Sequence, residues 1–388
     1  MIRAGGVHAL ENPAHAKPLV ESIAASGHRD ITVITRGDTM RIWYRPLGFR
    51  DEYSGFQDAG ARADAFLDSS GCAVRYIEHI HTAWGIPLVS AIVDRNDGVV
   101  RFKRRYSASP PDEKTDRQYV RRSLIQFDIP LKAHFGNAGD PLVFRTGVRP
   151  GVQIGVRPGF LAYGQIDLYV HNEYDSRQWC NPANIGIAHL LPLHDAAMSV
   201  TNIGAFQKEL YGIDEEIRVS LSRDRLLLGL HGGVYGALRF RDNRFRYAGM
   251  DLYMLVLRAA WSDALYDCTV CLKGGRFLYG DMGFGCEISR VFTECEFGIS
   301  AVRSGSDTVA SLLFRLPIKP GSRKSVASYG VGMAKDFKFS YTFSTVHTGD
   351  PKLPVQKALE PELGVSFGEI ERLTRPVHFI SRSRRTSY

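Results

Sequence analysis

The spacing of apolar positions changes about a quarter of the way along the chain. Over the first hundred residues it is helical, then strand-like, and the sequence repeats that order. Ala14 to Ala25 places Leu19, Ile23 and Ala24 on one helical face, with Gly27 as a stop. Ile31 to Thr35 and Met40 to Tyr44 come next, parted by Arg36-Gly37-Asp38, a hairpin signal. The pattern recurs from Gln57, where Ala59, Ala63, Phe66 and Leu67 share a helical face that ends at Gly71. Strands are then predicted over Ala73 to Ile80 and Ile86 to Val93, with Trp84-Gly85 between them. Two helix-strand-strand units of about forty residues predict one pseudo-symmetric α/β domain over residues 1–100, with helices covering one sheet face.

Residues 101–140 read as a polar connection, either a linker or the entry into the distal region. They contain Ser109-Pro110-Pro111 and a possible strand at Leu124 to Ile129. From Leu142 the period becomes two. Ile166, Leu168 and Val170 oppose Gln165, Asp167 and Tyr169, and Ile217, Val219 and Leu221 oppose Arg218, Ser220 and Ser222. The clearest pair is Met282 to Ser289 and Thr293 to Ser300, with a turn expected around Arg290 and Val291. Met282, Phe284, Cys286 and Ile288 lie opposite Gly283, Gly285, Glu287 and Ser289. Cys295, Phe297 and Ile299 lie opposite Glu294, Glu296, Gly298 and Ser300. Residues 141–345 thus read as about ten to twelve antiparallel strands. Residues 346–388, with Pro351, Pro354, Pro361, Pro376 and an Arg-Ser tail, read as a peripheral extension.

Alternation alone fits a soluble sandwich or a membrane barrel. The polar faces here carry Gly, Ser, Thr and carboxylates rather than the Lys-rich surface usual for a soluble strand. Aromatics gather near the expected strand ends, at Tyr253, Trp261, Tyr266, Phe277, Tyr279, Phe292 and Tyr341, as an interfacial girdle would place them. The reading is therefore a transmembrane β-barrel. No stretch holds the roughly twenty apolar residues of a spanning helix. A mean hydropathy of −0.16 agrees, since barrel strands alternate in polarity. Parity assigns Asp267, Thr269, Lys273, Glu287, Glu294 and Glu296 to a hydrated lumen, the acids paired with bases such as Lys273 or Arg276. It assigns Met282, Phe284, Ile288, Phe297 and Ile299 to lipid. Arginine at Phe284 or Phe297 is expected to cost about 2–4 kcal/mol near the midplane, and arginine at Glu296 to be mild.

The net charge of +8 is concentrated in clusters, Lys103-Arg104-Arg105 and Arg382, Arg384 and Arg385, that read as solvated loops. The basic residues are not interleaved with aromatics on one face, which disfavours nucleic acid. Cys268 and Cys271 are the nearest cysteines, but an offset of three on a strand sends them to opposite faces, against a metal or redox site. Met1 to Lys17 show no cationic start followed by an apolar core, so no secretory signal is read there.

Several segments resemble the YjbH-like exopolysaccharide family. Leu228-Gly229-Leu230-His231-Gly232-Gly233-Val234-Tyr235-Gly236 is similar to that family's glycine-framed stretch, where a strand enters the next through a tight turn. Gly275-Arg276-Phe277-Leu278-Tyr279-Gly280-Asp281-Met282-Gly283, with Ser289-Arg290-Val291-Phe292 after it, resembles two further elements in the same order. Gly27 to Val33, Asp38 to Tyr44 and Arg149 to Gly159 resemble the preceding domain and the first barrel strands, so the likeness runs from about residue 8 to about residue 345. It implies an outer-membrane component of exopolysaccharide or capsule export, with the α/β domain in the periplasm. The partners implied are the extracellular polysaccharide, outer-membrane lipid and other proteins of the secretion system. It implies no cofactor, metal or catalytic residue. Family members are longer, with sequence ahead of the α/β unit.

Enzymatic chemistry is set aside on the residues themselves. Glu287, Glu294 and Glu296, expected to face one another across a hairpin, supply the residue type of a glycosidase pair but read as lumen residues. His171, His189, His194 and His231 offer bases without a G-x-S-x-G nucleophile. Gly330-Val331-Gly332 and Gly232-Gly233 lie in β-alternation and open no helix to hold phosphate. The alternatives kept open are a soluble or surface β-rich glycan-binding module and a barrel enzyme acting on lipid or glycan.

Overall fold

The computed structural model describes residues 13–45, 52–98, 100–104, 123–129, 131–134, 143–173, 179–207, 209–221, 225–241, 244–263, 266–292, 295–305, 307–317, 325–326, 329–333, 336–344 and 360. The N-terminal elements are α1 (Pro13–Ala25), β1 (Arg29–Arg36), β2 (Thr39–Arg45), α2 (Glu52–Ser70), β3 (Tyr76–Ala83), β4 (Ile86–Asp94) and β5 (Val100–Arg104). Their strands form one sheet in the order β1-β2-β3-β4-β5, with β2 and β3 parallel and the other pairs antiparallel. Leu19 and Ile23 of α1 and Ala59, Ala63 and Leu67 of α2 pack on Met40, Ile42, Tyr44 and Ile77, so the helices cover a single face.

The structure departs from the periodicity in two places. Helix α2 starts five residues before Gln57, because Phe56 adds an anchor against Ala91 of β4, with Val93 and Val100 beside them. Strand β3 begins at Tyr76 rather than Ala73, β4 begins at Ile86 as expected, and β5, unread in the sequence, extends the sheet.

The remaining strands are β6 (Ser123–Asp128), β7 (Leu131–His134), β8 (Val143–Arg157), β9 (Phe160–Asn172), β10 (Cys180–His194), β11 (Ala197–Phe206), β12 (Leu210–Leu221), β13 (Leu226–Arg241) and β14 (Arg244–Tyr247). They continue with β15 (Leu252–Asp263), β16 (Cys268–Arg276), β17 (Met282–Phe292), β18 (Cys295–Ser304), β19 (Asp307–Pro317), β20 (Ser325–Val326), β21 (Tyr329–Met333) and β22 (Asp336–Ser344). Among the described residues the distal region is one antiparallel sheet of twelve long strands, β8–β13, β15–β19 and β22, so the fold is mainly β. Strands adjacent in this series pair with one another, from β8 through to β19 with β22. The short β7 pairs with β8 and also lies against β22. Strands β6 and β7 therefore belong to this sheet, not to a linker.

Strand replaces two expected turns. Strand β17 runs through Arg290 and Val291 to Phe292, because Arg290 and Val291 keep ladder partners in Phe297 and Glu296. Gly232 to Gly236 lie inside β13, paired throughout with β12, rather than at a tight turn. Gly233 there serves packing: a Cβ would stand 2.6 Å from the ring of Tyr235, which folds back over it.

Parity sorts the sheet into two unlike faces. Ile187, Ile203, Ile213, Val234 and Tyr253 are successive cross-strand partners on β10, β11, β12, β13 and β15, and all five are exposed. Ile288, Ile299 and Leu312 form a second exposed row across β17, β18 and β19. The opposite face buries Asp214, Glu216, His231, Ser289 and Glu296 along with apolar groups such as Met254, Val256 and Phe277. At one part of it, Ala83 and Leu88 from the β3–β4 hairpin pack with Leu161, Tyr163, Ala188, Leu190, Met198 and Val200. The Gly159 amide donates to the Trp84 carbonyl at 2.9 Å, so this hairpin fastens the α/β region to the sheet's buried face.

Candidate functional site

Among the described residues, the largest charged network on the buried face is built by four neighbouring strands. On β12 the alternation places Asp214, Glu216 and Arg218 on one side. Register then sets Glu216 opposite His231 of β13, Gly229 opposite both Arg218 and Arg258 of β15, and Arg258 opposite Lys273 of β16. Gly229 stands between the two arginines, and a Cβ there would meet both at ordinary contact distance, 3.5 Å from Arg258 and 3.6 Å from Arg218.

Both guanidiniums reach one carboxylate. Arg218 donates to Glu216 at 2.8 Å and Arg258 donates to it at 3.1 Å. Asp214 accepts from the Tyr235 hydroxyl and lies 2.8 Å from Nε2 of His231. Nδ1 of that ring is 3.3 Å from the Arg258 guanidinium. A buried carboxylate without partners costs several kcal/mol, so pairing on each side is what lets these groups occupy the interior.

One member comes from far along the chain. The Glu360 carboxylate meets the Arg258 guanidinium, accepts from the Lys273 ammonium at 2.8 Å and lies 3.5 Å from Nδ1 of His231. Its side chain is 15% exposed, so Glu360 does not belong to a peripheral extension.

The residues singled out by parity separate largely by face. Thr269, Lys273, Glu287 and Glu296 share the buried-face parity of their strands. Thr269 is hydrogen-bonded to Ser262 at 3.1 Å. Met282, Phe284, Ile288, Phe297 and Ile299 are all on the exposed face, at 41–67% exposure. Asp267 is not on a strand: it precedes β16 with a positive φ of 50°, in a turn where side-chain parity does not apply. Glu294 lies outside the described residues.

The expected ion pairs are replaced by others. Glu296 pairs with Arg315 at 2.6 Å, so an arginine there would face a like charge and would not be mild. Lys273 is taken by Glu360, and Arg276 lies 3.8 Å from the Tyr253 ring centre. Glu287 stands opposite Ser300 and Glu296 opposite Val291, so the acids do not face each other across the hairpin. Phe277 is fully buried and is no girdle residue. Tyr253, Trp261, Tyr266, Tyr279 and Phe292 are exposed, and the side chain of Tyr341 lies outside the described residues.

The motif residues between β16 and β17 build a turn. Gly275 has φ 151°, with its amide plane turned so that a Cβ would press on the β15 backbone, and Gly280 has φ 88°. Arg276 donates to the Gly280 carbonyl at 3.2 Å, Phe277 N–H donates to the Asp281 carbonyl at 2.8 Å, and Ser304 donates to the Asp281 carboxylate at 2.7 Å. A Cβ at Gly283 on β17 would strike the Arg303 carbonyl first and then the Phe277 ring, Ser289 is buried, and Arg290 is exposed over Phe292. Cys268 and Cys271 are free thiols on β16 at opposite parity.

A second buried polar cluster lies under the helices. His28, His79 and His81 surround Tyr44, whose hydroxyl is 2.7 Å from Nε2 of His81. Asp58 lies 3.3 Å from His28. Burial pulls His28 down to about 4 and His79 to about 3. Among the described residues no group of three or more His, Cys, Asp or Glu is arranged to hold a metal ion, and no helix is long and apolar enough to cross a membrane.

Comparison with protein-family models, with curated proteins and with solved structures gives no match to this chain.

Proposed function

We propose that this chain is a non-enzymatic outer-membrane β-barrel protein of the YjbH-like type, which takes part in export or surface assembly of an exopolysaccharide or capsule. The twelve long strands close as a barrel, the α/β domain is periplasmic, and the barrel serves as a polar conduit or scaffold. Its partners are the polysaccharide, outer-membrane lipid and proteins of the secretion machinery.

The observation that carries the reading is the pair of exposed apolar rows backed by buried charge. A soluble monomer rarely leaves contiguous apolar surface of that extent to water. A membrane barrel requires it on the outside, with polar side chains inside. Strand order supports closure, since β22 and β7 bring the last long strand beside the first. The resemblance of the ordered motifs supports the polysaccharide role.

Fractionation of cells expressing the chain with its native export route tests the proposal. The barrel is expected to stay with the membrane through high salt and carbonate and to need detergent for release. Release by salt overturns it in favour of a surface glycan-binding module. Activity on lipid or glycan that one Ser, His or Glu substitution abolishes overturns it in favour of an enzyme.

A further inference from the structure

Strand β13 outruns its neighbours. Its pairing with β15 ends at Tyr235 and with β12 at Ala237, and residues 238–241 pair only with β14, so a short hairpin overhangs the sheet with every residue of β14 exposed. Register sets arginine against arginine twice in it, Arg239 opposite Arg246 and Arg241 opposite Arg244. Like charges directly opposite destabilise a strand pair, so the folding of the hairpin does not account for them. Asp242 and Asp251 belong to the same segment, and Glu209 pairs with Arg239 at 3.1 Å. The four arginines outnumber these three acids, and among the described residues Arg244 and Arg246 form no ion pair. Alternation runs on from His231 and Tyr235 to Arg239 without a register shift. Arg239 and Arg246 therefore keep the parity of the buried face, while Phe245 and Tyr247 keep that of the exposed apolar rows. The β8–β9, β10–β11 and β12–β13 connections share one end of the antiparallel sheet, and the β3–β4 hairpin docks there at Gly159. Strand β13 leads from that end to the other, so the arginine hairpin lies away from the α/β region.

We propose that the β13–β14 hairpin is a contact site for a carboxylate-bearing polysaccharide at the outer end of the sheet, held by Arg239, Arg244 and Arg246. This rests on the polysaccharide reading of the chain and adds the class of polymer, an acidic one. A guanidinium grips a carboxylate through two parallel hydrogen bonds. Partners across the hairpin stand about 5 Å apart and residues two along a strand about 6.6 Å apart, so several forks are offered together. A polymer with repeated acids engages several of them at once, where a single acid engages one. Each exposed pair is weak by itself, as suits a chain that must leave as well as arrive. Parity favours glycan over lipid headgroups: in the barrel reading lipid lies on the side of Phe245 and Tyr247, and the arginines take the other side.

The test uses the full chain in neutral detergent micelles, with a galacturonic acid oligosaccharide as probe and a neutral maltooligosaccharide as control, read by calorimetry. Wild type is expected to bind the acidic probe, more weakly as salt is raised, and to leave the neutral sugar unbound. Arg244→Gln with Arg246→Gln should weaken binding about tenfold, and Arg244→Lys with Arg246→Lys should recover part of it by restoring charge without the fork. Phe245→Ser with Tyr247→Ser should leave it unchanged. All four side chains are exposed, so these variants keep the fold. The proposal falls if wild type binds no acidic probe, if the glutamine pair binds like wild type, or if the serine pair loses as much as the glutamine pair. Phosphatidylglycerol vesicles form the lipid arm: capture by them that the glutamine pair abolishes, with no binding of the oligosaccharide, assigns the hairpin to headgroups and overturns the proposal. Binding in micelles does not depend on cellular location. A salt-releasable protein that loses the acidic probe in the glutamine pair would sink the membrane reading and leave this site standing, whereas a detergent-requiring protein that binds no acidic probe would sink this site alone.

Discussion

The two halves of the molecule leave opposite things outside. In the α/β region, Leu19, Ile23, Ala59, Ala63 and Leu67 close over Met40, Ile42 and Ile77, while Arg75 is 52% exposed. In the distal sheet the isoleucine and leucine rows are outside and Asp214, Glu216 and Arg258 are within. One region hides its apolar surface from water, and the outward apolar rows of the other are the feature on which the proposed barrel reading rests. The β3–β4 hairpin, packed on Leu161 and Leu190, is where the two arrangements meet.

The largest effect on this contrast is expected from removing the acid that holds the inner charges. Glu216→Ala leaves Arg218 and Arg258 in the interior without their common partner. Stranding a buried charge costs about 3–5 kcal/mol. Urea unfolding of the purified protein in micelles should show that loss, and Glu216→Gln should recover part of it by keeping acceptor geometry. If Glu216→Ala unfolds like wild type, the interior is wetter than the network implies, and the contrast between the halves weakens.

Next in size is a charge on the outer face. Phe284 is 67% exposed, and in a water-facing sheet Phe284→Arg would cost almost nothing. In a bilayer it should cost about 2–4 kcal/mol near the midplane. Folding yield into lipid vesicles, compared between Phe284→Arg and Glu287→Gln on the opposite face of the same strand, separates the two. Equal yields would show that both faces meet the same solvent.

Much of this contrast was legible in the alternation, and its limits have a physical cause. Period two fixes which side of a strand a residue takes, so Met282, Phe284 and Ile288 part from Glu287 whatever the neighbouring strands do. Pairing across strands needs register, and register depends on turns that alternation does not specify. Glu287 and Glu296 therefore fell opposite Ser300 and Val291 instead of each other. Asp214 and Glu216 continue the very alternation read at Arg218 and Ser220. Arg258 stands alone in the apolar run Leu252 to Ala260, and that lone charge was the available signal. Glu360 had none, because its partners lie some hundred residues away and no local pattern encodes such a contact.

A third expected effect falls on the α/β region alone and comes from its buried histidines. Burial holds the folded-state values of His28 at about 4 and His79 at about 3, below the ordinary 6.5. Below pH 6.5 the unfolded chain takes up these protons while the folded domain does not, so stability is whole above that value and declines as pH falls toward 4. Each histidine contributes about 1.4 kcal/mol per pH unit over that window. Hydrogen exchange between pH 7 and pH 5 should show the amides of α1, α2 and β3 losing protection, after correction for the intrinsic pH dependence of exchange, with those of β12 and β13 as internal reference. His79→Leu, which fills the same apolar surroundings without a titrating ring, should flatten the decline by about half. An unchanged slope in that variant would mean that His79 is solvated before the domain opens, and the acid sensitivity would then belong to His28 and its Asp58 neighbour alone.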